Sequence, residues 1–291
     1  MSLGESLTRQ LGRFRLHALA AGVQRLDGGA MFGVVPKPLW EKMMPTDERN
    51  RIRLALRPLL VEADDELVLI DTGAGNKEDA KFRDIYGLEN DGDPTALEDA
   101  IRDTGFQPSD VTVVINTHLH FDHAGGNTVR LPDGSIVPAF PGVRHVVQRG
   151  EWEFAHLQNE RVRASYLLHN LDLLEGAGTL DLVDGPAEVV PGIQVLPTPG
   201  HTPHHQSVLI MSDGEVAMYL GDLVPTTAHL PLPWIMGYDV EPLVTLETKR
   251  TVLEWVKRER TLLLFEHDPE IHWGYLAPHE EKPTLVSDRP D

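Results

Sequence analysis

No stretch of the chain limits its fold more than the junction after Val111–Asn116, where an apolar strand runs directly into Thr117-His118-Leu119-His120-Phe121-Asp122-His123-Ala124-Gly125-Gly126. On extended backbone, residues two apart face the same way, so His118 and His120 can grip one metal ion together. If the chain then turns, Asp122 and His123 are presented to a second ion beside the first, and the Gly125-Gly126 pair permits that turn. A His-rich surface loop is the alternative. Yet three His and one Asp within six positions at a strand end are hard to explain by packing.

Three further groups each follow a predicted strand. Thr198-Pro199-Gly200-His201-Thr202 follows Ile193–Pro197, Gly221-Asp222 follows Val216–Leu220, and Glu266-His267-Asp268 follows Thr261–Phe265. Loops at a rigid sheet edge are where α/β proteins gather functional groups. Singly, His201 reads as a turn residue, Asp222 as a helix cap and His267 as a surface histidine. Jointly they complete a ligand set for two metals.

Composition narrows the rest. With no cysteine, a metal site must use His, Asp and Glu, and disulfides are impossible. That absence fits a cytoplasmic protein. A formal net charge of −19 disfavours nucleic acid, whose phosphates are bound by Lys and Arg. No apolar run approaches the roughly 18 residues of a membrane span. Arg9, Arg13 and Arg15 precede the apolar run Leu16–Val23, but its brevity and His17 point to a strand rather than a targeting segment.

Residues 1–291 read as a single domain without a dividing linker. Arg13–Arg25 alternates like a strand and enters the Gly-rich loop Asp27–Gly33, followed by an irregular stretch, Pro36–Pro45, that either lines a pocket or packs on the core. Ile52–Glu62 and Glu66–Ile70 read as paired strands ending in Asp71-Thr72-Gly73. Asp93-Pro94-Thr95 opens a helix through Asp103, stopped by Gly105. Further strands are expected near Val143–Gln148 and Ser207–Met211, and a helix over Val240–Arg258. Strand, helix and strand in this order predict an α/β layer arrangement.

These motifs, in this order from Asp71-Thr72-Gly73 to His267, resemble the metallo-β-lactamase superfamily, whose signature is H-x-H-x-D-H followed by a lone His, an Asp and a final His. The resemblance implies an α/β fold, an αβ/βα sandwich of two mixed sheets flanked by helices with the site along one edge. It implies that His118, His120 and His201 bind one metal, that Asp122, His123 and His267 bind the other, and that Asp222 bridges both. Asp71 and His205 match positions that hold ligands in place, and His204 stands where the family often has glycine. The metals implied are two divalent ions, zinc first, with manganese, iron or cobalt as alternatives.

A dinuclear centre of this charge keeps a surplus of about one positive charge after Asp122, Asp222 and a bridging hydroxide are counted, which stabilises negative charge developing in hydrolysis. The reading is a hydrolase whose bridging hydroxide attacks a lactone or carboxylic ester, or a phosphotriester, with Asp122 carrying a proton to the leaving group. Asp222 argues against a true β-lactamase, and the ending around it resembles the lactonase and organophosphate-hydrolase-like branch. That branch also implies a small-molecule substrate, a flap carrying Met31 and Phe32, and a homodimer. One departure is the run Asp222-Leu223-Val224-Pro225, where quorum-signal lactonases commonly place a Tyr. Expected pocket residues are His229, Trp234, Met236 and Tyr238, with Phe32 and Trp40 opposite.

Two other readings use the same residues. A thioesterase of the glyoxalase II kind, or a phosphodiesterase, would want basic clusters, whereas Lys249, Arg250, Lys257, Arg258 and Arg260 suit a solvated helix face. A metal-binding sensor without turnover is the non-enzymatic alternative.

Overall fold

Along Glu66–Ile70, Val68 and Ile70 point to one side and Leu67 and Leu69 to the other, and all four are buried. A strand apolar on both faces must lie between two layers. The computed structural model, which describes residues 6–90, 95–277, 280, 283–287 and 289, supplies them by stacking two seven-stranded sheets. In spatial order the first sheet is Leu7–Leu11, Phe14–Ala18, Leu59–Ala63, Glu66–Ile70, Val113–Ile115, Arg144–Gln148 and Leu180–Val183. Its first four strands pair antiparallel and the later ones parallel. The second is Ala187–Val190, Ile193–Pro197, Gln206–Ser212, Glu215–Tyr219, Leu262–Leu264, Trp273–Leu276 and Leu285–Val286, with one parallel pairing, Glu215–Tyr219 against Leu262–Leu264.

Between the sheets, Leu16, Val61, Ile70 and Ile115 meet Val195, Val208, Tyr219 and Leu264. Outside the first sheet, Leu97 and Ile101 of helix Ala96–Asp103 cover Leu60, Leu69 and Val114. Outside the second, Leu253 and Val256 of helix Pro242–Glu259 cover Leu209, Met218 and Leu263. Each such buried aliphatic side chain contributes roughly 1.5–3 kcal/mol. This is the αβ/βα sandwich of two mixed sheets expected from the sequence. No helix among the described residues is long and apolar enough to cross a membrane.

Several predicted elements change. Arg13–Arg25 is not one strand: after Phe14–Ala18 the chain leaves the first sheet, passes Gly22 at φ 141°, and Val23–Asp27 pairs with Arg51–Ala55 in a separate two-stranded ribbon. The predicted strand Ile52–Glu62 breaks correspondingly into Arg51–Ala55 and Leu59–Ala63, because Pro58 has no N–H for a ladder. The Gly-rich loop contains a short helix, Gly28–Phe32, capped by Asp27 accepting from the Ala30 N–H. Helix Ala96–Asp103 begins with a capping box between Thr95 and Glu98; Asp93 and Pro94, predicted to open it, lie outside the described residues. Helices Ala80–Tyr86 and Arg149–His156 were not legible.

Candidate metal centre

All four predicted groups sit where a strand of one of the two sheets ends. His118 and His120 follow Val113–Ile115, and a short helix, Phe121–Ala124, turns Asp122 and His123 inward behind them. The glycine pair serves a different end from the one expected: its helical turn needs no positive φ, but a Cβ on Gly125 would lie 2.4 Å from the Ala74 backbone and one on Gly126 2.2 Å from the Thr72 carbonyl oxygen. Close approach of two backbones is what demands glycine there. At Gly221 both reasons apply, since φ is +53° and a Cβ would meet His205 Nε2 at 2.7 Å.

The structure brings all seven residues together. His120 Nδ1 lies 3.1 Å from His118 Nε2 and 3.1 Å from His201 Nε2. On the other side, His267 Nε2 lies 3.1 Å from His123 Nε2 and 3.6 Å from Asp122 Oδ2. Asp222 stands between, with Oδ2 3.2 Å from His201 Nε2 and Oδ1 3.2 Å from His267 Nε2.

Neighbouring groups orient these rings. His201 Nδ1 faces Asp239 Oδ1 at 2.8 Å, His267 Nδ1 faces the Ala55 carbonyl oxygen at 2.8 Å, and His123 Nδ1 faces Glu266 Oε2 at 2.8 Å and Asp71 Oδ2 at 3.1 Å. An acceptor on each Nδ1–H leaves Nε2 as the inward atom, free to coordinate a cation. Asp71, held at φ 56°, also accepts from the Thr117 N–H and hydroxyl, each at 2.7 Å. Buried Glu151 accepts from the Leu119 N–H, the Tyr166 hydroxyl and the Thr202 hydroxyl, tying the His118–His120 segment to His201. His205 is a neutral acceptor, lowered to about 3 by burial and by His201, and its Nε2 takes the Asp222 N–H. His204 is exposed and packs on Gly150, away from the centre.

These donors fit divalent cations. Burial and neighbouring histidines hold His118 and His120 well below the usual imidazole range, so both are neutral, the form that can bind a cation. His120 Nδ1 faces two ring nitrogens at once and can satisfy only one by a hydrogen bond, and Asp222 Oδ1 has no hydrogen-bond partner although it is buried. A cation answers both deficits.

Proton release is the first expected consequence. Burial alone would lower His267, but the nearby charges of Asp222 and Glu266 lift it to about 9; Asp222 and Asp239 likewise raise His201 against its burial. At pH 7 the metal-free His267 is therefore protonated, and an ion must displace that proton. Affinity should rise as pH climbs toward about 9 and fall below pH 7. Zinc titration of the metal-free protein in buffers of different ionisation enthalpy measures the released protons; uptake with none released would contradict this charge state.

Beside the centre opens a cavity of about 390 Å³, walled by Leu26, Met31, Tyr86, Phe121, Met236 and Tyr238, with Arg161 and Ser165 among its polar lining. Of the expected pocket residues, Met236 and Tyr238 line it and Met31 joins them from helix Gly28–Phe32. Phe32, Trp40, His229 and Trp234 do not. Phe32 stacks between Trp40 and His229 at ring separations of 5.0 and 4.5 Å, with Trp234 edge-on, forming a small core behind the wall. Lys249 is also corrected: it is buried, its ammonium donating to the Pro231 and Trp234 carbonyl oxygens, so it clamps the wall loop to helix Pro242–Glu259. Gln24, Glu151, Asp239 and the ligand-holding part of Glu266 had no signal in sequence, because each acts on a partner distant in the chain.

Residues 58–278 match the metallo-beta-lactamase superfamily, and the chain belongs to it. An N-acyl homoserine lactonase from Bacillus sp is 32% identical over 225 residues, covering 74% of this chain and 82% of the relative. Among solved structures, a probable metal-dependent hydrolase from Staphylococcus aureus superposes with a TM-score of 0.88 at 31% identity, covering 97% of this chain and 99% of that one. AidC, a dizinc quorum-quenching lactonase, superposes at 0.79 over 99% of each chain, and its 19% identity speaks for the fold alone. The chain is accordingly a metal-dependent hydrolase acting on ester bonds.

Proposed function

We propose that this protein is a dinuclear hydrolase of lactones and carboxylic esters, with phosphotriesters as secondary substrates. The observation that carries the reading is the shared Asp222, whose two oxygens each lie 3.2 Å from a histidine of a different cluster at the edge of an apolar cavity. His118, His120 and His201 would hold one ion and Asp122, His123 and His267 the other, with zinc the first candidate and manganese, iron or cobalt next. When bound, the ions supply Lewis acidity and a hydroxide at neutral pH, the bridging nucleophile of this reading.

The chain's own groups do the rest. The apolar walls receive an acyl or alkyl group, and a volume of about 390 Å³ suits a small molecule. Tyr86 and Tyr238 bring phenols into the cavity, replacing the one missing after Asp222; burial raises both, so they stay protonated donors for a substrate oxygen. Asp122, at the cavity edge, is the candidate to pass a proton to the leaving oxygen. The curated relatives are N-acyl homoserine lactonases, which makes acyl lactones the first class to test. The reading further takes residues 1–291 as one working domain, in the cytoplasm, with no nucleic-acid or membrane partner.

A hydrolysis screen with defined zinc, manganese and cobalt loading tests the substrate class. Lactones and activated aryl esters should exceed thioesters and phosphodiesters by at least about tenfold in kcat/KM, a difference of roughly 1.4 kcal/mol. Thioesters or phosphodiesters ahead by that margin would move the assignment to the glyoxalase II-like or phosphodiesterase reading.

A further inference from the structure

The ribbon formed by Val23–Asp27 and Arg51–Ala55 belongs to neither large sheet, yet it touches the metal centre at two points. Ala55 makes two hydrogen bonds to His267: its N–H donates to the His267 carbonyl oxygen, and its own carbonyl oxygen accepts from the side-chain Nδ1 of His267 at 2.8 Å. One residue along on the partner strand, Gln24 is fully buried, and its Nε2 donates to Asp122 Oδ2. That oxygen is the one nearest the ring nitrogens of His123 and His267.

The contacts are selective. Asp122 and His267 both belong to the second of the two proposed ion sites. The first-site residues are held from elsewhere: His118 follows Thr117, which Asp71 anchors; His201 is held by Asp239; and the segment of His120 is held by Glu151. The Gln24 amide is also placed at a cost, since its buried Oε1 has no hydrogen-bond partner. Turning the amide over would set oxygen against a carboxylate, so the side chain is committed to donating to Asp122.

We infer that Gln24 is a positioning residue for Asp122, and that through it the ribbon sets occupancy of the second ion site independently of the first. The inference rests on the dinuclear reading. Groups that orient a ligand typically change metal affinity by about 10–100-fold, which fixes the scale of the expected effect.

Zinc-saturated full-length protein, in wild-type, Gln24→Met and Gln24→Asn forms, would be dialysed against graded chelator and its zinc per chain measured. Gln24→Met keeps the length but removes the donor, and Gln24→Asn keeps the amide but withdraws it by one methylene. Both variants should lose one ion at a chelator concentration at least about tenfold below wild type, while the other is released at the wild-type concentration. Cobalt-loaded variants should correspondingly lose the absorption contributed by the second ion. Should Gln24→Met fail to fold by circular dichroism, Gln24→Asn decides. Two ions retained as in wild type, or both weakened equally, would overturn the role of Gln24 while leaving the dinuclear reading intact. A wild-type protein that binds only one ion at saturation would instead remove that reading, and this inference with it.

Discussion

Asp222→Ala should weaken both metal ions and reduce kcat/KM by at least about 1,000-fold, roughly 4 kcal/mol of transition-state stabilisation. The size follows from its surroundings. Burial would push this carboxyl up, but His123, His267 and His201 hold it well below the ordinary carboxylate range, so it is charged at any pH where the enzyme works. Removing it leaves four inward imidazole nitrogens without the anion between them, and breaking a buried charged cluster in this way costs several kcal/mol. Elemental analysis and steady-state kinetics on the variant make the check. Two tightly held ions in Asp222→Ala would show that the carboxylate does not bridge. Loss confined to one ion would place Asp222 in a single site.

Chelation should have the second large effect, abolishing hydrolysis and lowering Tm together. A ligand bound only by the folded state at about 1,000 times its Kd stabilises it by roughly 4 kcal/mol, so two such ions should shift Tm by on the order of 10 °C in a chain of this size. The local cause is visible at His120, whose Nδ1 lies 3.1 Å from two other ring nitrogens. Differential scanning calorimetry before and after chelation, and after adding zinc back, measures it. Full activity in metal-free protein would remove the metal-dependent mechanism. Activity lost with Tm unchanged would mean that the ions add nothing to stability.

Much of the centre could be read from the chain because ligand chemistry is local in sequence. His118, His120, Asp122 and His123 fall within one turn after a strand, and His201, Asp222 and His267 each follow an apolar run, so residue type and strand end together were enough to single out the seven residues that the fold brings together. The α/β layering was legible in the order strand, helix, strand, and the two-sheet sandwich in the resemblance those motifs carry; burial of Glu66–Ile70 on both faces agrees with it. The break at Leu19–Gly22 was not, because alternation continues across it and only pairing with Arg51–Ala55 moves Val23–Asp27 to a separate ribbon.

What the tertiary structure alone decided are the contacts that aim the side chains of the centre. Gln24 reaches Asp122 across 98 positions, Asp239 reaches His201 across 38, and the Ala55 carbonyl meets His267 across 212. None of these pairs has a spacing that a helix or strand would repeat, so no periodicity announces them. Phe32 and Trp40 likewise looked like pocket residues and are core, while Lys249 looked solvated and is buried. The side chain's chemistry is written in the sequence, but which way it points depends on what packs against it. That is set by apolar burial summed over the whole molecule, and it exists only once the sheets have closed.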